Sequence, residues 1–199
     1  EIYDRWAFNR GMPEKERERS KDTLKMAAML HDVGKVGISD LILKKPARFT
    51  PEEYTVMQSH TCFGAKLFVD PQSELDIISA DVALRHHENW DGTGYPGMVD
   101  IWAEEPMSHP IECEPDGSAR KLKGEEIPLG GRIVAVADVY DALISKRVYK
   151  EPWDSGKVYD EIRAMAGTKF DPEVVSAFFE ILPRIEEIRS RYPDAETET

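Results

Sequence analysis

Residues 22–35 read DTLKMAAMLHDVGK, an apolar segment that ends in adjacent ionisable side chains. One face carries the i, i+3, i+4, i+7 spacing of an α-helix: Leu24, Ala27, Ala28 and His31. The pattern predicts a helix from Asp22 to about Gly34, because glycine is a common C-terminal stop. His31 continues the apolar face, so we expect it to point toward the core with Asp32 beside it.

Helical patterns also fill most of the remaining chain. Residues 50–53, TPEE, combine a capping threonine, a first-turn proline and the glutamate of a capping box. The inward positions of that helix are predicted to be Met57, His60, Gly64 and Leu67. Further helices are expected at about 73–87, 131–144, 155–165 and from 171 onward. The predicted fold class is all-α, a helical bundle.

An irregular insertion is expected at about 97–123, where glycine and proline are frequent. Pro115-Asp116-Gly117 is a turn signal that could close a short β-hairpin. The whole chain, 1–199, is read as a single domain, with 1–20 an N-terminal helical piece and 194–199 a frayed tail. Because the chain begins with Glu1 and not with methionine, we expect it to be part of a longer multidomain protein.

Composition narrows the class of protein. With 41% hydrophobic and 32% charged residues, the chain fits a globular protein. Its net charge of −12 argues against non-specific binding to the backbone of DNA or RNA, but it permits a small anionic substrate in a locally positive pocket. We find no membrane-spanning apolar run and no signal peptide, so a cytoplasmic location is expected. Cys62 and Cys113 lack metal-type spacing and are expected to be ordinary thiols.

The histidines suggest a shared partner. The five are His31, His60, His86, His87 and His109. A single inward histidine is more often a core residue bonded to a carbonyl than a metal ligand, whereas several from different helices are costly to bury without a common partner. A metal ion supplies that partner, since neutral imidazole is its commonest nitrogen ligand. His109 lies in the insertion and is expected to be solvated.

Two carboxylates strengthen the hypothesis of a metal site. Asp32 follows His31 directly, and Asp138 interrupts the apolar run Ile133–Ala137. A buried, unpaired carboxylate is costly, so Asp138 needs either a metal or a nearby arginine, lysine or helix end. Histidines with two carboxylates favour transition ions over calcium or magnesium. Two such ions could activate water against a phosphodiester, with Asp32 bridging them, and no nucleophilic side chain is apparent.

Two motifs resemble a known family. Residues 31–35, HDVGK, resemble the HDxGK signature of the HD superfamily of metal-dependent phosphohydrolases. Residues 86–96, HHENWDGTGYP, match the HHExxDGxGYP motif of its HD-GYP subgroup, which is far more specific than a lone His-Asp pair. The similarity extends over roughly residues 20–182. The resemblance implies an HD-type helical bundle and a bacterial signalling phosphodiesterase.

The resemblance also implies roles for individual residues. The implied metal ligands are His31, Asp32, His60, His86, His87 and Asp138, with Asp32 bridging. Asp32 and Lys35 are the implied catalytic residues. The implied substrate-binding residues are Lys35, Gly94, Tyr95, Pro96, Arg147 and Lys150, although Arg147 and Lys150 could equally be solvated surface charges. The implied cofactors are two or three divalent transition ions, iron or manganese first, with zinc or nickel as alternatives.

The implied reaction is hydrolysis of cyclic di-GMP to pGpG, and in some family members to GMP, by a metal-bridging hydroxide. Two departures keep other readings open: no histidine precedes His31, where family members commonly carry one, and the 97–123 insertion is unusual. One alternative is a degenerate sensor that binds a dinucleotide or a protein without hydrolysis. Another is an HD-type hydrolase of a different nucleotide. We also expect a regulatory domain on the N-terminal side. The insertion is expected to form a lid over the pocket, or to contact a protein partner or a second copy of the chain.

Overall fold

The protein is described by a computed structural model that covers residues 1–145 and 153–191. Within these residues it is helical and contains no regular strand, which confirms the all-α prediction. The α-helices are α1 (Ile2–Asn9), α2 (Glu14–Met29), α3 (Asp40–Leu43), α4 (Pro51–Gln58), α5 (His60–Lys66), α6 (Glu74–Arg85), α7 (Leu129–Ile144), α8 (Ser155–Ala164), α9 (Pro172–Glu180) and α10 (Leu182–Arg191). Short 3₁₀ turns occupy Val33–Gly37, Pro106–Ser108 and Gly124–Glu126. No described helix combines the length and apolar character that crossing a bilayer requires.

Helix α7 runs through the centre of the bundle. It packs against α2, α6, α8 and α9, so the segment Ile133–Val136 is buried at every position. A helix that is apolar on all sides is stable only when neighbours cover it completely. Phe170 and Phe178 fill the space beside it. This central placement carries Asp138, two residues beyond Val136, to the end of the core where the histidines gather.

Most predicted helix boundaries are confirmed, and α4 begins with the predicted capping box. The backbone N–H of Glu53 donates to Thr50 Oγ1 at 3.2 Å, and that of Thr50 donates to Glu53 Oε2 at 2.8 Å. The predicted helix does not continue to Leu67, however, because it breaks at Ser59 into α4 and α5. The break changes the register, so Leu67 is 57% exposed and its predicted inward position is wrong.

The first predicted helix also differs from the structure. It begins at Glu14 rather than Asp22 and ends at Met29, so His31 and Asp32 lie in a turn and not on the helix. The reason is a close approach of Gly34 to α5. A Cβ atom on Gly34 would lie only 1.9 Å from the carbonyl oxygen of His60. The chain after α2 therefore bends to place Gly34 directly against the backbone of α5.

The insertion at 97–123 is irregular, as expected. Its turn forms at the predicted place, where the N–H of Gly117 donates to the Glu114 carbonyl at 2.9 Å. The described residues form only isolated antiparallel bridges there, Val99 with Pro110 and Cys113 with Ala119, so a regular hairpin is absent. The insertion is packed onto the bundle through an apolar cluster that includes the buried thiol of Cys62 on α5.

A buried ion pair joins the starts of α7 and α9. Asp171 caps α9, at the start expected for this helix, by accepting from the N–H of Glu173 at 2.8 Å. Its other oxygen accepts from Arg132 Nη1 on α7 at 2.7 Å, and the Asp171 side chain is only 2% exposed. The Arg132 guanidinium also lies 5.8 Å from the centre of the Trp90 ring. This pair therefore fastens α9 to α7 beside the loop that follows His86-His87.

We predict that Asp171→Ala lowers the free energy of unfolding by about 3–5 kcal/mol, because it leaves a buried guanidinium without its partner. Urea denaturation of the two proteins measures the difference. Asp160→Ala is the matched control, since Asp160 pairs with Arg163 on the surface with its side chain 83% exposed. The control is expected to change stability by less than about 1 kcal/mol. An equal effect of both substitutions would contradict the role given to the buried pair.

Candidate metal centre

The six predicted ligands lie close together although they come from four parts of the chain. His31 and Asp32 are in the turn after α2, and His60 begins α5. The other three are His86 and His87 at the end of α6 and Asp138 on α7. Within this set, one ligand atom from each of Asp32, His60, His86 and His87 lies within 4.8 Å of all the others. The structure thus assembles the predicted cluster, and ligation by each residue stays a prediction.

Asp32 lies between two groups of side chains. Its Oδ1 is 3.4 Å from His60 Nε2 and 3.9 Å from His86 Nε2. Its Oδ2 is 3.3 Å from His31 Nε2, and that same nitrogen is 3.9 Å from Asp138 Oδ1. The two carboxylate oxygens therefore face different neighbours. This arrangement suits a carboxylate that bridges two cations.

Three of the imidazoles are oriented by backbone carbonyls. The Nδ1 atoms of His31 and His60 lie 2.7 Å from the carbonyl oxygens of Ala28 and Met57. His86 Nδ1 lies 3.0 Å from two carbonyl oxygens of α6. A carbonyl only accepts, so each Nδ1 carries a proton, and in the neutral imidazoles of His60 and His86 the Nε2 atom presents a lone pair to the centre. Such a partner on the distal nitrogen is the usual support of a metal-bound histidine.

Burial keeps the inner imidazoles neutral. Burial, with smaller effects from neighbouring histidines, lowers the pKa of His86 to about 3 and that of His87 to about 2. Burial also lowers the pKa of His60. For His31, burial opposes protonation, but the hydrogen bonds to Asp32 and Ala28 outweigh it and raise the pKa. At neutral pH the inner histidines are therefore unprotonated, which is the form that binds metals.

The Asp32 carboxylate is held in its charged form. Burial alone would raise its pKa, but the hydrogen bonds with His31 and Lys35 outweigh burial and lower the pKa well below the usual range. Its Oδ1 is nevertheless buried and has no hydrogen-bond partner. That oxygen faces the lone pairs of His60 and His86, whose Nε2 atoms are only 3.4 Å apart. Three acceptors turned toward one another repel unless a cation lies between them, so these residues fit a divalent metal ion.

The loop that follows the paired histidines is packed tightly against them. The Tyr95 ring stacks on the His87 ring with centroids 4.8 Å apart, and burial raises the pKa of its phenol. Gly94 is required for space, because a Cβ atom there would lie 2.2 Å from the backbone nitrogen of Asn89. Gly94 and Pro96 are buried within the loop, while Tyr95 is partly exposed. The loop thus forms a wall beside the cluster.

The remaining predicted substrate-binding residues are cationic. The Lys35 ammonium donates to Asp32 Oδ2 at the open side of the cluster. Arg147 and Lys150 lie outside the described residues. The predicted contacts of Lys35, Gly94, Tyr95 and Pro96 with a substrate remain predictions. His109, in the insertion, is exposed and 2.8 Å from the Glu105 carbonyl, in keeping with the solvated position expected for it.

Two residues at the site were not singled out from the sequence. The Glu88 side chain is fully buried, and its Oε1 accepts from Arg85 Nη1 at 3.0 Å and from the N–H of Gly97 at 2.8 Å. It thereby ties the end of the Tyr95 loop to α6. Lys169 is partly buried, with Nζ 3.4 Å from Asn89 Oδ1 and the charge of Asp138 nearby. The only sequence signal for Glu88 is its place inside the motif at residues 86–96.

Comparisons with known proteins show which family the chain is similar to. The family model "HD domain" matches residues 5–143. A cyclic di-GMP phosphodiesterase of Thermotoga maritima is 39% identical over 174 residues, covering 87% of this chain and 41% of that protein. A 3'3'-cGAMP-specific phosphodiesterase of Vibrio cholerae is 36% identical over 177 residues, covering 89% and 30%. The chain therefore spans less than half of the length of these relatives.

A solved structure has a similar fold. The chain superimposes on a cyclic GMP-AMP specific phosphodiesterase of V. cholerae with a TM-score of 0.57, covering 97% of this chain and 46% of that one. Sequence identity is 17%, so this likeness speaks for the fold alone.

We predict that Asp32→Ala abolishes binding of divalent metal, because among the described carboxylates only Asp32 approaches His31 with one oxygen and His60 and His86 with the other. Elemental analysis measures the metal content, and thermal unfolding gives a second readout. Added Mn²⁺ should raise the Tm of chelator-treated wild-type protein and leave that of the variant unchanged, since a ligand stabilises only a state that binds it. Asp40→Ala is the control, because Asp40 is an exposed partner of Lys44. Full metal content in Asp32→Ala would overturn the assignment.

Proposed function

Because the chain belongs to the HD domain family, we propose that it is a metal-dependent phosphodiesterase that hydrolyses cyclic di-GMP to pGpG, and onward to GMP where the site accepts the linear product. The observation that carries the proposal is the cluster of inward Nε2 lone pairs around the unpartnered Asp32 Oδ1. The motifs and the two relatives give the substrate class, since both relatives are named for hydrolysis of purine cyclic dinucleotides.

We propose two or three divalent transition ions at this site, iron or manganese first and zinc or nickel as alternatives. Neutral imidazoles combined with carboxylates favour these ions over calcium or magnesium. The ligands would be His31, Asp32, His60, His86, His87 and Asp138. When bound, such ions supply the positive charge that activates water and stabilises the oxygens of a phosphoryl transition state. The described side chains offer no alternative nucleophile at the cluster.

The protein's own residues would position the phosphodiester. Lys35, at the open side, can exchange its contact with Asp32 for a phosphate oxygen. Lys169 lies beside Asn89 and, among the described residues, has no carboxylate within ion-pair distance, so it is available to an anionic ligand. Arg147 and Lys150, as implied by the family resemblance, would hold the second phosphate. Together these cations would make the site locally positive, so that a chain with a net charge of −12 could attract an anionic substrate.

The test of this function is a panel of substrates with purified, metal-loaded protein. We expect turnover of cyclic di-GMP or 3'3'-cGAMP, followed by chromatography of the products, and no turnover after chelation. Binding of cyclic dinucleotide without any hydrolysis would favour the sensor alternative. Hydrolysis restricted to other nucleotides or phosphoesters would favour an HD-type hydrolase with a different substrate.

We further propose that the chain is one domain of a longer protein with a regulatory domain before it. The relatives support this, since the matched region is less than half of their length. The 97–123 insertion is proposed to contact a protein partner or a second copy of the chain, and its exposed Trp102 and Ile111 support that role. Deleting the insertion without any change in turnover or oligomeric state would argue against it.

We predict that Lys35→Ala keeps its metal content but lowers kcat for cyclic di-GMP by about 10²-fold, the usual cost of removing one charge-stabilising donor from an active site. Steady-state kinetics alongside elemental analysis separates the two effects. Lys44→Ala is the control, because the Lys44 ammonium forms an exposed pair with Asp40 away from the cluster. Unchanged kcat in Lys35→Ala would remove Lys35 from the proposed mechanism.

A further inference from the structure

A row of aromatic rings leads outward from the cluster of predicted metal ligands. The His87 and Tyr95 rings are stacked, with centroids 4.8 Å apart and planes 25° from parallel. The Tyr54 ring meets the Tyr95 ring edge to face, with centroids 6.4 Å apart and planes at 76°. Tyr54 is therefore one ring further from the metal cluster than Tyr95. It belongs to α4, outside every motif that the sequence singled out.

Helix α4 is fixed relative to the cluster. The capping box of Thr50 and Glu53 secures its first turn, and Lys45 forms an ion pair with Glu53. At its other end the Met57 carbonyl oxygen is 2.7 Å from His60 Nδ1. Tyr54 lies one turn before Met57 on this short helix. Its backbone is thus held by the same contacts that orient a predicted metal ligand.

The Tyr54 side chain itself is exposed to solvent. It is 49% exposed, and its hydroxyl makes no hydrogen bond to the described residues. By contrast, the hydroxyls of Tyr3 and Tyr159 donate to Met12 and Glu186. A single exposed aromatic ring needs no explanation by itself. An exposed ring on a rigid support beside a candidate catalytic centre is placed to meet a ligand.

We propose that Tyr54 is a specificity-determining residue that stacks on one purine base of a cyclic dinucleotide whose phosphate lies at the metal cluster. This inference rests on the proposed phosphodiesterase function and deepens it. A cyclic dinucleotide carries a flat base on each side of its sugar–phosphate ring, and aromatic side chains are the usual platform for such bases. Tyr95 is less available for this purpose because one face of its ring already covers His87.

The experiment compares Tyr54→Ala and Tyr54→Phe with the wild-type protein, all metal-loaded. Loss of a base-stacking ring is expected to raise KM for cyclic di-GMP, and the calorimetric Kd, by about 10- to 100-fold. Because the ring does not touch the reacting atoms, kcat and metal content should stay within about twofold. Tyr54→Phe keeps the stacking surface and should behave like the wild type. Val56→Ala is the matched control, since Val56 lies on the same helix and is 43% exposed.

An unchanged KM and Kd in Tyr54→Ala would overturn the inference while leaving the proposed function intact. Loss of metal or a fall in kcat, with KM unchanged, would show that Tyr54 only supports Tyr95 and His87, which also overturns it. If the wild type binds cyclic di-GMP without turnover, the proposed function fails, and the ratio of Kd values still decides the role of Tyr54. If the wild type binds no purine cyclic dinucleotide at all, both proposals fail.

Discussion

The site is defined by the close approach of three hydrogen-bond acceptors at Asp32, which other contacts of the fold must hold together. Its Oδ1 and the Nε2 atoms of His60 and His86 face one another without a hydrogen between them. Bringing them together requires very close backbone packing, which explains why glycine stands at position 34, against the His60 carbonyl. The same packing ends α2 early and places His31 and Asp32 in a turn. The helix therefore ends just before the predicted ligands come together.

The parts of the fold that could be predicted from sequence are those fixed by local interactions. The capping box at Thr50 and the cap at Asp171 depend on side chains within three residues of the backbone that they satisfy. The break at Ser59 and the end of α2 at Met29 could not be predicted, because they follow from the approach of two segments distant in sequence. Exposure of Leu67 is a direct consequence of that break.

The same distinction applies to the candidate site. The histidines and aspartates were identified because burying so many polar groups needs a shared partner and because the motifs are specific. Glu88 and Lys169 were missed because the contacts that tie them to the site cross between segments. Glu88 holds Gly97 across a loop, and Lys169 meets Asn89 from 80 residues away. Arg147 and Lys150 were implied by the resemblance and lie outside the described residues.

Under the proposed function, chemistry and selectivity would be carried by different kinds of residue. With divalent ions bound as proposed, the cluster around Asp32 would act on any phosphodiester that reaches it, since such ions contact only phosphoryl oxygens and water. Selectivity must therefore come from surfaces beyond the ligands, and α4 is joined to the cluster through His60 without contributing a ligand of its own. Stacking tolerates any base because every base has a flat face. Tyr54 would thus select cyclic dinucleotides over simple phosphodiesters, whereas discrimination between guanine and adenine would require hydrogen bonds to the edges of the bases.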